Sequence, residues 1–150
     1  MPRVIVGPAD FDPGTALATL EADAGAIASF IGIVRGTADN RPLAALTLEH
    51  YPGMTEQALA RIADTAMTRW RLLDCLIIHR TGRLEPGARI VLAAAASAHR
   101  GDAIEAMTFL IDWLKTDAPF WKHETFRDGT ARWVAPRETD QHARDRWIEP

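Results

Sequence analysis

This sequence predicts a mixed fold of helices and strands, and three observations predict it. Two long stretches, Met54 to Trp70 and Gly101 to Lys115, carry apolar residues at helical spacing. Runs rich in apolar and β-branched residues at 26–35, 72–84 and 88–98 suit buried strands. Clusters of Pro, Gly, Asp and Asn separate the two kinds of segment. With 150 residues, the chain is expected to form one domain over 1–150, burying about two-thirds of the surface its unfolded form exposes.

Taken in order, Arg3 to Val6 reads as a short strand. Asp12 followed by Pro13 is an N-cap and first-turn pair for a helix that turns Leu17 and Leu20 inward and stops near Gly25. AIASFIGIVR (26–35) is a buried strand, GTADNRP a loop and LAALTLEHY another strand. The helix from Met54 to Trp70 buries Ala58, Leu59, Ile62, Ala63, Ala66, Met67 and Trp70. LLDCLIIHRTGRL reads as a strand, EPGA as a turn and ARIVLAAAASA as the antiparallel partner. The next helix starts near His99 and turns Ala103, Ile104, Met107, Leu110, Ile111 and Leu114 to the core, leaving Thr108, Asp112 and Lys115 opposite. Pro119 forbids its continuation. FWKHETF and ARWV form two short strands around RDGT, and the polar tail from Glu138 is a last helical turn or a disordered end.

Charge and composition exclude several classes. A net charge of −3 argues against broad binding to nucleic-acid backbones, so any anion site is local. No stretch approaches the ~18 apolar residues of a membrane span, and the first residues lack an apolar leader, so no membrane association is expected. The single cysteine, Cys75, excludes an intrachain disulfide and fits a reducing cytoplasm. The five histidines show no HxH, HxxxH or HExxH spacing, so no metal site is expected.

The most informative pattern is the distribution of cations. Against fifteen arginines there are two lysines, Lys115 and Lys122, both inside LKTDAPFWKHE. An ammonium can trade a proton or act as a nucleophile, which a guanidinium does not. Two ammonium groups held together lower each other's pKa, a route to a neutral amine near neutrality. The bland alternatives are codon bias toward arginine and an Asp112–Lys115 surface pair worth a few tenths of a kcal/mol. SAHRGDA places His99 and Arg100 where a strand gives way to a helix N-terminus, either as an anion site or as a plain cap. Arg35 ends an apolar strand before a loop, where binding residues often sit. Cys75, set among LLDCLII, reads as core rather than as a reactive thiol.

Four motifs in order, LTLEHYPGMTEQAL, IIHRTGRLEPG, SAHR and LKTDAPFWKHE, make the chain resemble the molybdopterin synthase catalytic (large) subunit family from about Val4 to Trp147. The resemblance implies an α+β fold of the α/β-hammerhead kind with a mixed, largely antiparallel sheet and about three helices. It also implies a homodimer within a heterotetramer, with a small ubiquitin-like sulfur carrier at each end. The carrier's C-terminal Gly-Gly thiocarboxylate donates sulfur to cyclic pyranopterin monophosphate (precursor Z), forming the dithiolene of molybdopterin. No cofactor is implied. By motif match the catalytic lysines are Lys115 and Lys122, with His123 and Glu124 on the same wall. Ile33, Val34 and Arg35, with His99, Arg100 and Arg137, bind substrate, partly across the dimer interface, and Phe30 and Ile111 line the pocket. The chain departs from the family in reading GTADNRP after Arg35 and in carrying His123 where a second basic residue is common. Two other classes compete: a binding module for a phosphorylated metabolite or a ubiquitin-like tail, and a Cys75 persulfide enzyme.

Overall fold

The computed structural model describes residues 2–20, 22–135 and 138–148. Strand β1 (Arg3–Gly7) leads into helix α1 (Pro13–Ala18), where the Asp12 carboxylate accepts a hydrogen bond from the Thr15 amide at 2.9 Å and caps the first turn. Strand β2 (Ala26–Ile33) follows. The GTADNRP segment, expected to be a loop, is a tight hairpin. Strands β3 (Thr37–Ala38) and β4 (Arg41–His50) are joined by Asp39 and Asn40, at φ 50° and 61°. Two left-handed central residues are the pattern of a type I′ turn, and Asp and Asn tolerate that backbone better than other side-chain-bearing residues.

Helix α2 (Met54–Arg69) precedes strands β5 (Asp74–Arg80), β6 (Gly82–Leu84) and β7 (Arg89–Ser97). Helix α3 (Arg100–Leu114), strands β8 (Phe120–Phe126) and β9 (Ala131–Val134) and helix α4 (Glu138–Asp145) complete the order. The stretch 72–84, expected as one strand, is broken at Thr81. β5 lies in a sheet ordered β1-β5-β7-β2, whereas β6 crosses to pair with β4 of the second sheet, ordered β3-β4-β8-β9. Gly82, at φ 85°, supplies the left-handed backbone at the crossing. The fold is α+β, as expected. The described residues hold four helices rather than three, because the polar tail forms α4.

The first sheet is buried on both faces. Alternation sends Cys75, Ile77, Ala93 and Ala95 toward α2 and α3, where they meet Leu59, Ile62, Ala66, Phe109 and Leu110. Leu76, Ile78, Leu92, Ala94 and Ala96 face the other way, against Leu20 and Leu17 beside α1. The four alanines of β7 are fully buried, and their small side chains let helices approach from both sides. Small residues also set the seat of α3. Ala103, Ala106, Phe109 and Leu110 face the core, whereas Ile104, expected to point inward, is 52% exposed. A third cluster of Val34, Leu46, Leu48 and Leu84 joins the two sheets.

Cys75 is fully buried, and burial, with the Asp74 carboxylate beside it, pushes its thiol up to about 12. It stays a protonated thiol at neutral pH and acts as a small core residue. Cys75→Ser is therefore expected to leave activity largely intact while costing about 1–3 kcal/mol for a hydroxyl in an apolar site. Urea unfolding together with turnover of the folded variant checks both halves.

Candidate active site

Lys115 is the C-cap of α3, its amide donating to the Ile111 carbonyl at 3.0 Å. The next residues tighten the helix end: the Thr116 and Asp117 amides both donate to the Trp113 carbonyl. The segment is then pinned from two sides. The fully buried Thr55 donates its hydroxyl to the Pro119 carbonyl at 3.1 Å and accepts from the Tyr51 amide at 3.0 Å. Asp117 pairs with Arg144 of α4 at 2.7 Å. These anchors fix the path from the helix end to Phe120, where β8 begins.

On β8, Lys122 lies in register with Leu48 of β4 and Val134 of β9. Leu48 is 1% exposed, so the face that carries Lys122 turns toward the interior, and Lys122 is half-buried. The two lysines meet in the electrostatics of one buried group. His79 of β5 is 6% exposed, and its ring stacks on Phe120 with centroids 3.8 Å apart at 17°. Its Nδ1 lies 2.9 Å from the Arg80 carbonyl, which makes Nδ1 the protonated nitrogen. Burial holds its pKa down at about 4, and the charges of Lys122, Lys115 and His50 push in the same direction.

This depressed value has a consequence for stability. As pH falls, the unfolded chain binds a proton at His79 near 6.5, whereas the folded chain refuses it until about 4. The stabilisation is complete above 6.5 and is lost progressively as pH falls to 4. Urea midpoints are expected to drop more across that window for the native chain than for His79→Phe.

The remaining expected site residues divide. Glu124 shares the Lys122 face, but its carboxylate accepts from Arg132 Nε at 2.8 Å, and Arg132 also holds Asp39 at 2.8 Å. His123 lies on the opposite face, since successive residues of a strand alternate, and its ring sits 4.8 Å from that of Trp133. Trp121 is on that outer face too, with its ring 4.6 Å from Tyr51. The Val34 side chain is core, while its backbone clasps the EPGA turn through bonds to Ala88 and Gly87. Ile33 and Arg35 are exposed, Phe30 is half-buried, and Ile111 packs half-buried against the first core. His99 and Arg100 begin α3, where the Ser97 hydroxyl accepts from the His99 amide at 3.3 Å. Since α3 has 15 residues, the rise of 1.5 Å per residue sets them about 22 Å from Lys115. One chain alone does not bring them to Lys115. Arg137 lies outside the described residues.

Sequence reasoning missed His79, Phe120, Thr55 and Arg132. A lone histidine among isoleucines reads as strand core, and its contact with Phe120 joins residues 41 positions apart. Among the described residues no group of three or more His, Cys, Asp or Glu could hold a metal ion, and no helix is long and apolar enough to cross a membrane.

The family profile described as MoaE protein matches residues 6–117. The chain belongs to the MoaE protein family. Lys115 lies inside that match and Lys122 just beyond it. A molybdopterin synthase catalytic subunit of Ralstonia nicotianae is 53% identical over 150 residues, covering 98% of this chain and 85% of its own. Among solved structures, a molybdopterin biosynthesis MoaE protein from Burkholderia ambifaria superposes with a TM-score of 0.84 at 46% identity, over the full length of both chains. A molybdopterin synthase from Staphylococcus aureus gives a TM-score of 0.81 at 30% identity, covering 87% of this chain and 96% of that one.

Proposed function

We propose that the chain is the catalytic subunit of a molybdopterin synthase. It takes sulfur from the C-terminal thiocarboxylate of a small ubiquitin-like carrier and delivers it to precursor Z, a cyclic pyranopterin monophosphate, building the dithiolene of molybdopterin. The observation that carries the reading is the naming of the family's relatives for this activity, joined by the two lysines of this chain, whose charges both act on the buried His79.

In this reading Lys115 is the main catalytic group, within reach of the reacting carbonyl, where an ammonium can stabilise an oxyanion or pass a proton as sulfur leaves the carrier. Lys122 steers the carrier's carboxyl end or the substrate phosphate. Its place on a strand paired on both sides gives it the fixed geometry that positioning needs. Arg35, His99, Arg100 and Arg137 hold the phosphate and pterin. The length of α3 supports a shared site, in which a second copy of the chain presents His99 and Arg100 to the first copy's lysines. The assembly is thus a homodimer of this chain with one carrier per end, working in the cytoplasm.

The test is turnover. Thiocarboxylated carrier and precursor Z are incubated with the protein, and mass spectrometry is expected to find two sulfurs added to the pterin and a carboxylate on the spent carrier. An unchanged pterin in the presence of loaded carrier would overturn the assignment.

A further inference from the structure

We propose that His79 is a positioning residue for the reaction: its imidazole, held as the Nδ1–H tautomer by the Arg80 carbonyl, is the platform on which Phe120 stacks, and through Phe120 it sets the reach of Lys115 and Lys122. The inference rests on the sulfur-transfer reading above and adds a residue to it that touches neither carrier nor pterin.

Three features of the fold carry it. His79 stands one residue before Arg80, where β5 ends and the chain leaves the first sheet for β6 in the second. Its hydrogen bond to the Arg80 carbonyl therefore braces the crossing from within, alongside the bond from the Thr81 amide to the Gly7 carbonyl. Its ring reaches across to the second sheet and lies nearly parallel to Phe120, the first residue of β8. Phe120 also lies within the segment that joins the two lysines. Lys115 is five residues before it, and Lys122 is two residues after it, on the same face of β8. The Phe120 ring thus packs where β8, which carries Lys122, meets the short segment that follows Lys115 at the end of α3.

The chemistry of the platform also fits. The groups that act on His79 are Lys122 from β8, Lys115 from the end of α3 and His50 from β4, and each disfavours a further positive charge there. A neutral imidazole supplies an aromatic face and one N–H without adding a further positive charge near the two lysines. Phenylalanine would keep the face and lose the N–H, and asparagine would keep an N–H near the Nδ1 position and lose the face.

The experiment separates these parts. Single-turnover sulfur transfer at saturating precursor Z, with its KM, is measured for the native chain, His79→Phe, His79→Asn and Phe120→Leu, each verified as folded by circular dichroism. His79→Phe is expected to stay within about 3-fold of the native rate. His79→Asn and Phe120→Leu are expected to lose about 10-fold in rate with KM changed less than 3-fold, and the double variant to be no slower than the slower single one. A merely structural histidine would lower the melting temperature of these variants and leave the rate of the folded protein unchanged. That result in both His79→Asn and Phe120→Leu would overturn the proposal. If His79→Asn does not fold, Phe120→Leu decides alone: a native rate overturns the proposal, and a loss in rate at constant KM sustains it. A native chain that transfers no sulfur would instead remove the parent reading, so the two failures are distinguishable.

Discussion

Lys115→Arg is expected to lower product formation by about 10²-fold or more, the usual scale for the loss of one acid–base or oxyanion contact. The substitution keeps the positive charge, removes the titratable amine and replaces a compact head group with a wide planar one. The fold around it should hold, because Lys115 is an exposed C-cap and its backbone bond to Ile111 is one that any residue can make. Binding should survive too. In the function proposed above, the phosphate is held by Arg35, His99 and Arg100 rather than by Lys115, so the affinities for carrier and precursor Z are expected to change only a few-fold. Single-turnover transfer paired with calorimetric titration of carrier and precursor Z reads out both quantities. Near-native turnover would sink the catalytic role, leaving an anion-binding pocket and a lysine pattern that reflects codon usage alone.

The second large effect is on stability. Phe109→Ala is expected to cost about 3–5 kcal/mol, the range for truncating a buried aromatic ring. Phe109 is 3% exposed, with the rings of Trp70, Trp113 and Trp147 at centroid distances of 5.2, 6.0 and 5.6 Å. The three neighbours, at the C-cap of α2, on α3 itself and just after α4, cannot all collapse into the space left behind. Because total stability in domains of this kind is about 5–15 kcal/mol, the loss is a large fraction of it. Trp147 should be released first, since its indole is held there by Phe109, by Trp70 and by the Asp112 carboxylate at 2.6 Å. A urea titration followed by tryptophan fluorescence is expected to show a lower midpoint with the loss of the C-terminal contact on the same curve. An unchanged midpoint would contradict the packing described.

How much of this was legible in the sequence depended on the range of the interaction involved. Helices α2 and α3 were visible because their apolar spacing is a local property, and the α1 cap because Asp12 and Thr15 are three residues apart. The break at Thr81 was not visible, since nothing in IIHRTGRL says that the residues after Gly82 find their partners in another sheet. The Asp39–Asn40 hairpin was available in principle. Two adjacent turn-formers carry the signal for left-handed backbone, but without glycine they read equally well as open loop. At the site, the lysines were conspicuous by their rarity, whereas the outward face of His123 needed the β8 register and the ion pair of Glu124 needed Arg132 eight residues on. The role of His79 lay in a contact between β5 and β8 that no local pattern encodes.

Helix α3 is, in effect, a gauge block. Its length sets the spacing between a charged end that begins with His99 and Arg100 and a reactive end that finishes at Lys115. That spacing is quantised by the helix itself. Adding one residue would advance Lys115 by about 1.5 Å and swing it by about 100° around the axis, away from its present direction. Removing one would swing it the other way. An insertion in the turn 127–130 between β8 and β9 would leave that spacing unchanged. In α3 the number of residues matters as much as their identity.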